Sequence, residues 1–164
     1  MMRDQIESAL VIERTYTAEV EDLWNLWTTK EGFESWWGPE GFRADVQTIE
    51  ARLDGALQYD MVADTPEMVS AMKKMGQPTS TACKGSFTTF DPYERLVLTQ
   101  IIDFLPGVAP YPSVISVDFF PAPAGQVRMV VTLSQMHDAH MTNMQRQGFT
   151  SQLSKLDRRY GWQA

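Results

Sequence analysis

A chain of 164 residues has the size of one domain, residues 1–164, and can bury a core without disulfide or metal staples. Hydrophobic residues make up 43% and charged residues 21%, as in an ordinary globular protein, and a net charge of −7 with scattered basic residues argues against nucleic acid as a partner. No run approaches the roughly 20 apolar residues of a membrane span, the charged N-terminus lacks a signal-peptide core, and the one cysteine, Cys83, suits a reducing cytoplasm.

The first periodic stretch is "SALVIERTY", residues 8–16, whose alternation predicts a strand. Thr17 is the expected N-cap of a short helix over 18–28, with Glu19, Glu21 and Asp22 near its positive end and Val20, Leu23, Trp24 and Trp27 at helical spacing. Thr29 is expected to cap a second helix that carries Phe33, Trp36 and Trp37 and ends at Gly38-Pro39. From Phe42 the period becomes two. "FRADVQTIEARL" and "ALQYDMVA" flank Asp54-Gly55, a hairpin signal. Residues 64–80 read as a helical excursion, with Pro66 in its first turn and Met68, Val69, Met72 and Met75 on one face. Two strands follow, joined at "DPYE" by an expected type I turn, and then "SVISVDFF" and "VRMVVTLSQM". Asp138 begins a helix of about 22 residues, roughly 33 Å long. Met141, Met144, Gly148, Phe149, Leu153, Leu156 and Tyr160 mark its apolar stripe. The order predicts an α+β fold with an antiparallel sheet of about six or seven strands, covered by the C-terminal helix.

Several of these stretches resemble the domain found in homologues of the activator of Hsp90 ATPase. "IERTYTAEVEDLWNLWTTKEGFESWWGPEGF" is similar to the family's opening, with Arg14, Leu23-Trp24, Thr28, Trp36-Trp37, Pro39 and Gly41 at the matching positions. "EARLDGALQYDM" resembles its Asp-x-Arg-x-Gly-Gly hairpin with Asp54 in place of the first glycine, and "KGSFTTFDPYERLVLT" resembles its Pro-x-Glu-Arg-Leu strand pair. "QGFTSQLSKL" resembles the closing Gly-Gly-Trp helix, with Phe149 in place of the tryptophan. The resemblance covers residues 8–158. It implies the START-like, helix-grip fold: a curved antiparallel sheet wrapped around a long C-terminal helix, with two short helices after the first strand. It also implies a cavity between sheet and helix that takes lipids, sterols or polyketides. Fold alone does not fix function.

The site expected from these features is apolar. Trp36 and Trp37 read first as core, with one indole reaching the cavity beside the Gly-Pro-x-Gly lip. Tyr59 and Met61 share a strand face, and Phe87 and Phe119 are taken to point inward. Met141, Met144, Gly148 and Phe149 belong to the helix stripe, and a glycine inside a helix suggests room for a close neighbour or a ligand. Ten methionines suit a lid over an adaptable apolar site or a gap-filled core equally well.

"MHDAH" offers His137 and His140, but no second ligand cluster accompanies them and Asp138 is better used as a cap. No metal or cofactor is therefore expected. No catalytic signature is present, so no catalytic residue is assigned, and whether the chain catalyses a reaction is left open. Asp103 and Asp118 are the acids within apolar strands, placed by default on the solvated face. The ligand expectation is an apolar small molecule. The alternative is an interaction domain stimulating an Hsp90-type chaperone, ranked second because the co-chaperone carries a further domain. Self-association as a homodimer is left open.

Overall fold

A computed structural model describes residues 10–103 and 105–162. The expected first strand starts at Ser8, outside the described residues; within them, β1 spans Leu10–Thr17. Helices α1 (Val20–Thr28) and α2 (Lys30–Glu34) follow, then β2 (Phe42–Ile49) and β3 (Ala56–Ala63). Helix α3 (Pro66–Lys74) precedes β4 (Ser80–Asp91), β5 (Arg95–Ile102), β6 (Tyr111–Ala122) and β7 (Gln126–Leu133), and α4 (Ala139–Tyr160) closes the chain.

The seven strands form one antiparallel sheet in the order β1-β7-β6-β5-β4-β3-β2. Strands β2 to β7 are a meander, and β1 joins its far edge. The α1–α2 pair therefore carries the chain from one sheet edge to the other. Register shifts at Val46/Thr48 and Phe87/Thr89 are bulges, which strengthen local twist and curl the sheet. They also shift the inward-facing set from Val46 to Ile49 and from Phe87 to Phe90, which joins the core. Alternation sends Leu57, Leu96, Leu98, Val117, Met129 and Leu133 inward, each fully buried.

Helix α4 lies on this inner face as one unbroken element. Asp138 caps it by accepting from the Met141 N–H at 2.7 Å, and Gly161 ends it at φ 73°. Only its second half packs tightly. Phe149, Gln152, Leu153 and Leu156 are buried, while residues 139–148 bury none and Met144 is 51% exposed. Near its end, Arg14 Nε and the Tyr16 hydroxyl both donate to Asp157 Oδ1, at 3.1 and 2.6 Å, and tie the helix to β1. Burial first, and the Asp157 carboxylate next, raise the Tyr16 phenol above its ordinary value, so it remains a donor.

Four local expectations are corrected. Thr17 is not a cap: its backbone stays in the ladder opposite Gln126, and α1 starts after Glu19 with no side-chain cap bond. Helix α2 ends at Glu34, so Trp36 and Trp37 follow the helix instead of lying in it; the Ser35 hydroxyl donates to the Gly32 carbonyl at 2.6 Å, competing for the last turn. Strand β2 stops at Ile49 rather than Leu53, because Arg52 and Gly55 close a tight loop in which Asp54 takes φ 61°. That left-handed backbone is one glycine adopts freely, which accounts for the resembled hairpin's glycine at this position. The Asp91–Glu94 turn is not type I, since Tyr93 at its third position has φ 67°. The expected Thr29 cap is in place, accepting from the Gly32 N–H at 3.0 Å. A Cβ on Gly32 would lie 2.1 Å from the Asn25 carbonyl oxygen, so the α1–α2 crossing needs glycine there.

Candidate functional site

Six aromatic rings from four elements and the segment after α2 meet where α4 crosses the sheet. Phe33 stacks on Trp37 with centroids 4.5 Å apart, and Trp27 meets Trp36 and Trp37 edge-on at 5.1 and 5.5 Å. Phe149 descends from α4 to within 6.0 Å of both tryptophans. Tyr59 of β3 packs edge-on against Phe33 at 5.3 Å. Trp36 donates its indole N–H to the Leu26 carbonyl at 2.8 Å, and Trp37 donates to the Tyr59 hydroxyl at 3.0 Å. Both indoles are buried, at 0% and 4% exposure. Burial of each contributes roughly 2–3 kcal/mol by area.

Beside this cluster the inner face of β3–β5 opens into a pocket of about 240 Å³. Tyr59, Met61, Thr81, Cys83, Gln100 and Ile102 line it, with Lys84 and Ile101 at its edge. The Tyr59 hydroxyl also accepts from Gln100 Nε2 at 2.7 Å, so a polar triad of Trp37, Tyr59 and Gln100 joins the aromatic cluster to the pocket. Burial, then the adjacent Cys83 thiol, raises the Tyr59 phenol. Burial likewise pushes the Cys83 thiol up to about 11, so it stays protonated and unreactive at neutral pH.

The "SWWGPEGF" lip beside the pocket is clamped to α4. Gly38 N–H donates to Gln152 Oε1 at 2.9 Å, Glu40 N–H to Ser151 Oγ at 2.9 Å, and Lys155 Nζ to the Gly38 carbonyl at 2.8 Å. Arg158 pairs with Glu40 at 2.8 Å. Burial lowers the Lys155 ammonium. Met61 Sδ lies 3.1 Å from where a Cβ on Gly38 would be, so the lip borders the pocket.

Three buried polar atoms here have no partner among the described residues: Trp27 Nε1, Gln152 Nε2 and Gln145 Oε1. Gln145, Phe149 and Gln152 stand at i, i+4 and i+7 on the helix, one face. Gly148 lies beside that face, and a Cβ on it would meet no atom within 4 Å.

The structure thus gathers Trp36, Trp37, Tyr59, Met61 and Phe149 in one region. Phe87 is fully buried against Phe90 farther along β4. Phe119 lies elsewhere, against Trp24 at 5.9 Å, and lines a separate surface pocket of about 350 Å³ with Tyr93 and Phe120. Met141 is half-buried and Met144 exposed, on the loosely packed half of α4. Helix α3 buries none of its residues, and Met75 is 62% exposed. Asp103 and Asp118 face outward, paired with Lys84 at 3.3 Å and Arg95 at 2.9 Å. His137 packs on Tyr111, and the described residues include no group of three or more His, Cys, Asp or Glu able to hold a metal. Among the described residues no helix is long and apolar enough to cross a membrane. The sequence reading missed Trp27, Gln100, Gln145 and Gln152. Gln152 alone carried a signal: it is a polar residue between Phe149 and Leu156 on the apolar stripe.

An antiparallel sheet curled about one long C-terminal helix, with two short helices bridging its edges, defines a helix-grip α+β protein. The family model described as activator of Hsp90 ATPase homolog 1-like protein matches residues 17–161, and the chain belongs to that family. Similar solved structures include a Chromobacterium violaceum protein, with a TM-score of 0.73, 18% identity and coverage of 93% of this chain and 96% of that one. An AHSA1 protein of Silicibacter pomeroyi gives a TM-score of 0.70 at 21% identity, covering 92% and 96% of the two chains. An Arthrobacter aurescens protein gives 0.72 at 20%, covering 93% and 86%. At these identities the likeness is one of fold. No curated protein matches the chain.

Proposed function

We propose that this protein binds an apolar small molecule, lipid-like or aromatic, between the inner face of β3–β5 and α4. The observation that carries this is the roughly 240 Å³ pocket beside the aromatic cluster, floored by Tyr59 and Met61. Concave, mostly apolar sites with a few placed polar groups are the usual form of a small-molecule site. Trp37 donates to the Tyr59 hydroxyl at the pocket wall, and in this proposal Trp36, Gly148 and Phe149 complete the site toward the helix. In this proposal Met141 and Met144, on the loosely packed half of α4, supply flexible thioethers that adapt to varied shapes. Phe87, buried against Phe90, is not among the residues lining this pocket, and Phe119 lines the other one. A thermal-shift screen over fatty acids, sterols and aromatic polyketides tests the reading. Ligand at 100 times Kd adds about 2.7 kcal/mol, which for a domain of this size is roughly 5–10 °C. No shift across the panel at saturating concentration rejects it.

The family's description supports a second reading, a domain that stimulates an Hsp90-type ATPase. ATP hydrolysis by purified Hsp90 with and without the protein distinguishes the two: stimulation in the absence of any small molecule favours the chaperone role.

A further inference from the structure

The cavity of about 350 Å³ beside Phe119 shares no lining residue with the pocket next to Tyr59. Three joints of the chain meet around it. The β1–α1 joint supplies Glu19, the β4–β5 turn Tyr93, and the β6–β7 hairpin Phe119, Phe120 and Gln126.

Its rings are placed against local preference. Tyr93 is 47% exposed and Phe120 41% exposed, and two open rings at one cavity form the kind of apolar patch that marks a binding groove. Tyr93 also stands at φ 67°, a left-handed backbone that glycine or asparagine adopts with less strain. Burial does not account for that choice, since the residue stays half in water. Its ring is steadied by Trp24, 5.8 Å away, and Trp24 in turn meets Phe119 at 5.9 Å. Backbone strain spent on an exposed, propped ring is explained by what the ring contacts from outside.

The charge of the lining is one-sided. Glu19 is its only carboxylate, no basic side chain lines the cavity, and Glu19 makes no side-chain cap bond to α1 that would occupy it. The Arg128 guanidinium lies over Phe120, 4.5 Å from the ring centre, so this ring already receives one cation. That charge is offset by Glu13 at 2.7 Å, and the chain as a whole carries −7.

We propose that this cavity is a second ligand site, taking a small organic cation with a methylated or quaternary ammonium group. The ammonium lies against the Tyr93 and Phe120 rings, whose electron-rich faces attract it, and Glu19 supplies the counter-charge at the rim. A methylated ammonium suits this lining better than a metal ion, which needs a shell of oxygen ligands that rings do not provide. The site is independent of the one proposed between α4 and the sheet.

Choline and 3,3-dimethylbutan-1-ol have nearly the same shape and differ by one charge, which isolates the attraction of a cation to the rings. Each is titrated into the full chain while the backbone N–H signals of Tyr93, Phe120, Gln126 and Val127 are followed in a ¹H–¹⁵N spectrum. Choline is expected to bind at least about fivefold more tightly than the alcohol, with an advantage that shrinks as salt is added. Glu19→Gln is expected to weaken choline about threefold or more and to leave the alcohol unaffected. Tyr93→Gly, which suits the left-handed backbone, is expected to stay folded by circular dichroism and to lose most of the choline affinity. Equal affinity for the two probes overturns the proposal, and so does the absence of a saturable choline shift at these four signals. Choline affinity unchanged by Glu19→Gln contradicts it as well, whether or not Tyr93→Gly folds.

Discussion

Gly148 is the position where stability and binding pull apart. A glycine in a helix interior costs about 1 kcal/mol relative to alanine, and overpacking is the usual reason such a cost cannot be recovered. Here an added Cβ would meet no atom within 4 Å, so nothing must move. Gly148→Ala is therefore expected to stabilise the fold by about 1 kcal/mol, which raises Tm by roughly 2–4 °C for a chain of this length. Gly148→Leu keeps the propensity gain and projects a branched side chain into the space between Gln145 and Gln152. It should leave Tm unchanged or higher while lowering affinity for an apolar aromatic probe by tenfold or more. Thermal unfolding by far-ultraviolet circular dichroism, paired with fluorescence titration, reads both quantities on the same samples. A fall in Tm for the alanine variant would show that the space is not free. Undiminished affinity in the leucine variant would show that the space is not the ligand's.

Other consequences follow from the same geometry. Trp36→Ala should cost about 3–5 kcal/mol by chemical denaturation, since it empties a fully buried indole site and orphans the Leu26 carbonyl. Asp157→Asn should lower stability by roughly 2 kcal/mol, because Arg14 and Tyr16 both donate to the lost charge, and Asp157→Glu should restore part of it. Cys83, with its thiol raised from 9.0 to about 11, should react with iodoacetamide at neutral pH roughly a hundredfold more slowly than in the unfolded chain. The unfolded thiol loses its proton first, so Cys83 makes stability fall as pH rises from about 9 through about 11, and Cys83→Ser should flatten that slope.

The sheet and the long helix were legible because their signals are local: alternation along each strand, one apolar stripe after Asp138, and breakers between. The misplaced boundaries have a shared cause, since Thr17 and the end of β2 are decided by ladder partners, Gln126 and Leu57, that a local pattern does not reveal. The aromatic half of the site was visible as adjacent tryptophans beside a glycine-proline turn. Its polar half was not. Gln152 reaches Gly38 across 114 residues, and Gln100 reaches Tyr59 across 41, so their roles arise only when the helix is laid on the sheet. Phe119, expected to point inward at the ligand site, is buried against Trp24 and lines the other pocket instead.

The most direct test of the binding site is a two-dimensional ¹H–¹⁵N spectrum of the protein titrated with 2-acetylnaphthalene. The indole N–H signal of Trp37, the side-chain amide of Gln100 and the backbone N–H signals of Met61 and Cys83 should shift together and saturate. Signals from Tyr93, Phe119 and Phe120 should stay in place. Shifts confined to that second pocket, or none at saturating probe, would contradict a site between α4 and the sheet.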